Sequence, residues 1–156
     1  MSGNYDVQQV CENGHQINDS CKQYPEHCQK FCDKCGAQTI TTCLHCNTEI
    51  RGYFIVPGVY GGGADVPSHC HNCGKPYPWT KNKIMTAIQI FAEFGNLDDE
   101  EKKNIEKDIN NIAKDIPQSE LSAMRIKRIW EKYGRIAYNV IMEFTSKTAS
   151  EILKNP

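Results

Sequence analysis

The sequence predicts a small α+β protein in two parts. Residues 1–79 form a module of short β-hairpins and tight cysteine-bearing turns, and residues 80–156 form an α-helical module. Three observations predict this. All nine cysteines lie between Cys11 and Cys73, and glycine and proline crowd the same stretch. After Thr80 only Pro117 and the terminal Pro156 interrupt the chain, and apolar residues recur there at three- and four-residue spacing.

The 156 residues, 39% hydrophobic and 24% charged, suffice for one domain or two small ones and are too apolar for a disordered chain. A formal net charge of -1 argues against a generally basic binder of polyanions. The first residues, Met1 to Asp6, carry neither a basic nor an apolar signal region, so a reducing cytoplasm is expected. The charge-free run from Ile136 to Met142 falls far short of the roughly 20 apolar residues of a membrane span. In a reducing compartment cysteines serve as metal ligands or catalytic groups more often than as disulfides.

The ligand spacing is direct. Cys11-Glu12-Asn13-Gly14-His15, Cys32-Asp33-Lys34-Cys35, Cys43-Leu44-His45-Cys46 and Cys70-His71-Asn72-Cys73 are four pairs, each with two or three residues between its donors. Two side chains on one tight turn converge on a tetrahedral ion, and thiolate with imidazole suits zinc. Gly36, Asn47 and Gly74 follow the second ligand of three pairs, where a turn wrapping its amides around sulfur needs a left-handed residue. Four pairs supply eight ligands, enough for two Zn2+ ions per chain.

Joining successive pairs gives one site of Cys11, His15, Cys32 and Cys35 and another of Cys43, Cys46, Cys70 and Cys73, the zinc-ribbon pattern. A crossed arrangement is disfavoured because seven residues separate Cys35 from Cys43. A nested pairing of Cys32, Cys35, Cys43 and Cys46 stays open. Cys21 and Cys28 are left over, with His27, His45, His69 and His71. The plain reading is spare thiols and surface imidazoles, with His69 and His71 as donors beside the second site a sharper one. For the cysteines, the sharper readings are replacement of a ligand in the first site or a reversible redox pair serving as a thiol sensor.

The strings Val10-Cys11-Glu12-Asn13-Gly14-His15, Phe31-Cys32-Asp33-Lys34-Cys35-Gly36-Ala37 and His71-Asn72-Cys73-Gly74-Lys75-Pro76-Tyr77-Pro78-Trp79-Thr80 resemble a bacterial zinc-ribbon family catalogued as a domain of unknown function. The resemblance covers most of the chain, is strongest up to Thr80, and extends to Pro117–Arg128. It implies that the eight ligands named above stand on the family's motif positions and that Cys21 and Cys28 do not. It brings no activity with it.

Catalysis is not expected. Four protein ligands leave a metal no position for water or substrate. A His-x-Glu partner for a deaminase-type Pro-Cys-x-x-Cys, a nucleophile elbow and a phosphate-binding Gly-rich loop are all missing from the sequence. Gly61-Gly62-Gly63, between Tyr60 and Ala64, is expected to tip a long arm of the second ribbon, either as a plain turn or as a mobile finger whose aromatic neighbours touch a partner or stack on bases. Charge opposes nucleic acid here: residues 1–79 hold five bases against seven acids, and seven thiolates outweigh two divalent ions.

In the helical half, Ile84, Ala87, Ile88 and Phe91 repeat after Thr80 as N-cap and end at Gly95 as C-cap. A second helix starts at Asp98 with Glu101 completing a capping box, and Ile105, Ile109, Ile112 and Ile116 form its apolar stripe. A third begins near Ser119 and carries Ile126, Ile129, Tyr133, Ile136, Val140 and Phe144. It either runs on as one long helix or breaks near Gly134. This seam is expected to build a small bundle or to meet a protein partner, whether a second copy or another chain. Glu93 to Glu120 carries nine acids against four lysines and Leu121 to Pro156 seven bases against three acids. A nucleic-acid alternative therefore rests on Arg125, Lys127, Arg128, Lys132 and Arg135. The leading expectation is a non-enzymatic zinc protein acting as a protein-interaction module.

Overall fold

A computed structural model describes residues 2–155. The chain forms two compact units, Met1–Thr80 and Lys81–Pro156. The first contains β1 (Asn4–Val7), β2 (Gln9–Cys11), β3 (Gln16–Asn18), β4 (Thr39–Ile40) and β5 (Arg51–Ile55), with a 3-10 turn at Pro25–His27. β3, β2 and β4 make an antiparallel three-stranded sheet with β2 central, while β1 pairs only with β5, bringing Tyr5 opposite Phe54. Their rings pack with centroids 4.8 Å apart.

Three turns share one hydrogen-bond scheme. Cys32, Cys43 and Cys70 each donate N–H to the carbonyl five residues on, and each accepts from the N–H four residues on, at 2.8–2.9 Å. The residue closing the inner ring is Gly36, Asn47 or Gly74, with φ of 72°, 58° and 71°. A side chain in the left-handed region meets steric resistance that glycine avoids and asparagine tolerates, so the sequence pattern is the cause of the turn. An isolated antiparallel bridge clamps the ends of each turn: Phe31 with Gln38, Thr42 with Glu49, and His69 with Pro76.

The core of this unit is small: Val10, Ile50, Tyr77 and Trp79 surround the buried Cys43 and Cys70. Tyr77 stacks on Trp79 at 4.7 Å, and the indole N–H donates to the Pro67 carbonyl at 2.8 Å. Gly14 sits against the Trp79 side chain, where an added Cβ would come within 2.9 Å of it, so the Cys11–His15 turn is packed on the same aromatic pair.

The glycine run does not tip an arm. β5 pairs with β1 and has no strand returning from residues 64–69. Instead the Tyr53 hydroxyl donates to the Gly61 carbonyl, the Ala64 N–H donates to Asp19, and the Gln16 and Gln8 amides donate to the carbonyls of Ala64 and Asp65. The loop is tied back onto the first module's own polar side chains, and Tyr60, 95% exposed, projects from it beside the exposed Val59.

The second unit contains the helices α1 (Pro78–Phe94, its first residues preceding the unit), α2 (Asp99–Ile112), α3 (Gln118–Tyr133), α4 (Tyr138–Met142) and α5 (Lys147–Lys154). α1 starts at Pro78, ahead of the expected Thr80 cap, because proline lacks the N–H that the first turn would leave unpaired. The α1 end is as expected: the helix stops at Phe94 and Gly95 is the C-cap, its N–H donating to the Phe91 carbonyl at 3.0 Å, while the next residue, Asn96 (φ 47°), takes the left-handed conformation. α2 carries the full capping box, with Asp98 accepting from the Glu101 N–H and Glu101 accepting from the Asp98 N–H.

The apolar seam is the core of this unit. Ile105, Ile109, Ile112, Ile126, Trp130 and Ile141 are buried together, and α3 packs against both α2 and α5. Of the two expectations for the seam, the small bundle is the one this unit builds: the chain turns at Gly134 (φ 87°) and at the left-handed Ala137, and α5 returns to α3. Five helices stand where the periodicity suggests about three. No helix among the described residues is long and apolar enough to cross a membrane.

Candidate metal centre

The fold collects the eight predicted ligands into two groups, Cys11, His15, Cys32 and Cys35 in one and Cys43, Cys46, Cys70 and Cys73 in the other. Within each group the donor atoms all lie within 4.8 Å of one another. These are the successive pairs. Two turns face each other in each group, and the crossed and nested arrangements do not occur.

The spacing of the donors tests whether an ion fits. A tetrahedral ion with metal–sulfur bonds of about 2.3 Å and metal–nitrogen bonds of about 2.0–2.1 Å, the zinc values, requires S···S edges of about 3.8 Å and S···N edges of about 3.6 Å. Observed S···S separations are 3.7 Å for Cys11–Cys35, 3.7 Å for Cys43–Cys73 and 3.6 Å for Cys46–Cys70. His15 Nδ1 lies 3.5 Å from Cys11 Sγ and 3.6 Å from Cys32 Sγ. These edges are those of ligand tetrahedra and far exceed the roughly 2.05 Å of a disulfide. Soft sulfur donors exclude magnesium and calcium as fitting ions. The two groups are therefore sites that could hold metal ions, with His15 presenting Nδ1.

Donors around the sulfurs stabilise thiolate. The His15 backbone N–H donates to Cys11 Sγ at 3.3 Å, the Asn72 N–H to Cys70 Sγ at 3.4 Å, and the Asn13 amide to Cys35 Sγ at 3.4 Å. The Ala37 N–H and the Asn13 amide pull the Cys35 thiol down to about 6, and the Thr48 hydroxyl and N–H with the Asn72 side chain pull Cys46 down to about 5. Asn13 and Thr48 were not singled out from sequence as sulfur partners, although both stand inside or just after a ligand turn. Both folded values lie below the ordinary 9, so this stabilisation is whole above 9 and is lost as pH falls through about 6 and about 5. A bound cation moves the loss lower still. Acidification is thus expected to release metal, followed with a chromogenic chelator; retention of the full complement in strong acid would contradict this.

Among the described residues no other group of this kind forms, so the remaining histidines stand outside the clusters. His27 stacks on Tyr24 at 5.7 Å, His69 Nδ1 meets Ser68 Oγ at 2.9 Å, and His45 and His71 are exposed. Cys21 and Cys28 lie outside both groups, yet beside each other, with sulfurs 2.8 Å apart. The basic residues of α3 are partly spent on α2: Arg125 reaches the buried Asp108 at 3.4 Å, and Lys132 reaches Glu101 at 3.4 Å.

The family model described as "uncharacterized protein conserved in bacteria (DUF2321)" matches residues 4–156. The chain belongs to the DUF2321 family. No curated protein and no solved structure matches it. The match takes in both halves of this DUF2321 protein, so the two ligand groups and the helical unit belong to one family architecture.

Proposed function

We propose that this DUF2321 protein is a non-enzymatic zinc protein that holds two structural Zn2+ ions per chain and serves as a protein-interaction module in a reducing cytoplasm. The observation that carries the reading is the pair of complete four-donor groups with tetrahedral edge lengths. When bound, zinc cross-links turns that are distant in sequence. Its closed coordination leaves no position for a substrate or an activated water, which sets it apart from catalytic zinc.

The protein-interaction reading draws on the surface of the first unit. Tyr5, Phe31, Leu44, Phe54 and Tyr60 are all exposed there, from 45% for Phe54 to 95% for Tyr60. Large aromatics on a rigid frame are the usual anchors of protein contacts. The acidic balance of the same residues disfavours nucleic acid, and ion pairing with α2 weakens the alternative placed on Arg125 and Lys132.

Native mass spectrometry of tag-free protein with elemental analysis tests the metal reading. Two zinc ions per chain are expected. One ion, none, or a chain that folds fully after chelation would overturn it.

A further inference from the structure

Between the two turns of the first ligand group, the chain makes a compact loop whose cysteines the metal sites leave unused. Cys21 Sγ and Cys28 Sγ stand 2.8 Å apart, inside the 3.6–3.7 Å that separates sulfurs within the ligand groups. Among the described residues no further histidine, cysteine or carboxylate joins them in a ligand group, so two donors cannot close a tetrahedral site.

The backbone holds the pair in place from both ends. The buried Asp6 carboxylate accepts the N–H groups of Lys22 and Gln23 at 2.8 and 3.2 Å, and the Cys21 N–H donates to the Val7 carbonyl at 2.9 Å. At the other end, the Gln29 N–H donates to Gln9 Oε1 and the Gln9 amide donates back to the Gln29 carbonyl, each at 2.9 Å. The Asn18 amide donates to the Tyr24 carbonyl at 2.8 Å and to Cys28 Sγ at 3.3 Å. Both cysteines are only partly buried.

We propose that Cys21 and Cys28 form a dithiol site that reacts with a small-molecule disulfide of the glutathione class and closes to a reversible intramolecular disulfide, while the eight cluster ligands stay out of the reaction. Cys28 attacks first: its sulfur accepts the Asn18 amide N–H at 3.3 Å and is held 2.8 Å from the Cys21 sulfur. Burial and the neighbouring Cys28 sulfur hold the Cys21 thiol up to about 12, so it keeps its proton at this stage.

The Cys28 thiolate forms a bond to one sulfur of the glutathione disulfide, whose S–S bond breaks, and the departing glutathione thiolate takes up a proton. The mixed disulfide removes the negative charge beside Cys21. Cys21 then gives its proton to solvent, attacks Cys28 Sγ and expels the second glutathione thiolate. Counting the proton that Cys28 gave up to solvent on ionising, the protein loses two protons and two electrons, and one glutathione disulfide is reduced to two thiols.

The test uses the full chain equilibrated in oxidised and reduced glutathione over a range of ratios, then acid-quenched, denatured, alkylated and digested with trypsin. Cleavage after Lys22 and Lys30 separates Cys21 from Cys28. The expected product is Met1–Lys22 linked to Gln23–Lys30, with Cys11 and the six other cluster cysteines alkylated. Cys21→Ala is expected to abolish the link and to leave glutathione on Cys28, whereas Cys28→Ala forms neither. Absence of the link in the unmodified chain at every ratio would overturn the proposal without any variant having to fold. A link that engages Cys11, or that survives Cys21→Ala, would overturn it equally.

Discussion

Replacing Cys32 or Cys73 with serine is expected to unfold the Met1–Thr80 unit and to remove an ion from it. The core there consists of Val10, Ile50, Tyr77 and Trp79 around two of the ligand cysteines, too few apolar side chains to offset the entropy of ordering the unit. Structural zinc contributes about 10–16 kcal/mol of apparent binding energy in small modules, as much as the roughly 5–15 kcal/mol by which whole domains are stable.

Trp79 reports on both ligand groups. It packs with Cys43 and Cys70 of one, and Gly14 from the turn of the other lies against its side chain. Its only fellow tryptophan, Trp130, sits in the helical core. In a Trp130→Phe background, either serine variant should shift Trp79 emission to the red and open the unit to proteolysis. The α-helical circular dichroism of the second unit should persist, because its core shares no residue with the first. Unchanged emission, protease resistance and metal content would refute the prediction.

Gly52→Ala is expected to be the most damaging substitution away from the ligands. Gly52 is buried in β5, and a Cβ there would lie 2.0 Å from the Asp19 carbonyl oxygen and 3.0 Å from the Gln8 nitrogen. Both are backbone atoms. Neither can swing aside, since the Tyr53 N–H donates to that same Asp19 carbonyl at 2.8 Å and the Gln8 N–H donates to the Ile50 carbonyl at 2.8 Å. Overpacking typically costs about 1–3 kcal/mol, and fixed backbone neighbours on both sides put Gly52→Ala at the upper end of that range. For a unit of this size the loss corresponds to a fall in Tm of more than about 10 °C. A melt followed by Trp79 emission, with the metal complement held constant, measures it; an unmoved midpoint would mean that the Asp19 and Gln8 backbone does not pass β5 as closely as the structure has it.

The pairing of β1 with β5 was not visible in the sequence. Asn4 to Val7 carries no strong alternation, and its partner lies at the other end of the unit, beyond all but one pair of the cysteine turns. The same holds for the loop at Gly61–Gly63, where three glycines announce a turn but the anchoring groups, Gln8, Gln16 and Asp19, are remote. Along α3 to α5, apolar residues at three- and four-residue spacing fit one long helix as well as a helix that breaks and returns. Apolar spacing records which side chains are buried, not whether their axis is continuous. The reversal at Gly134 and Ala137 decided that.

What the sequence determined by itself was local. A cysteine, two residues, a second cysteine and a glycine or asparagine specify a complete turn, because every hydrogen bond in it spans no more than five residues and one backbone conformation selects the last residue. The capping box of Asp98 and Glu101 was legible for the same reason. Tertiary structure alone decided which turns face each other, how the apolar seam is consumed, and that Cys21 meets Cys28. Each of these depends on bringing together groups whose separation along the chain leaves no periodic trace, and it is packing and long-range hydrogen bonding that bring them within reach.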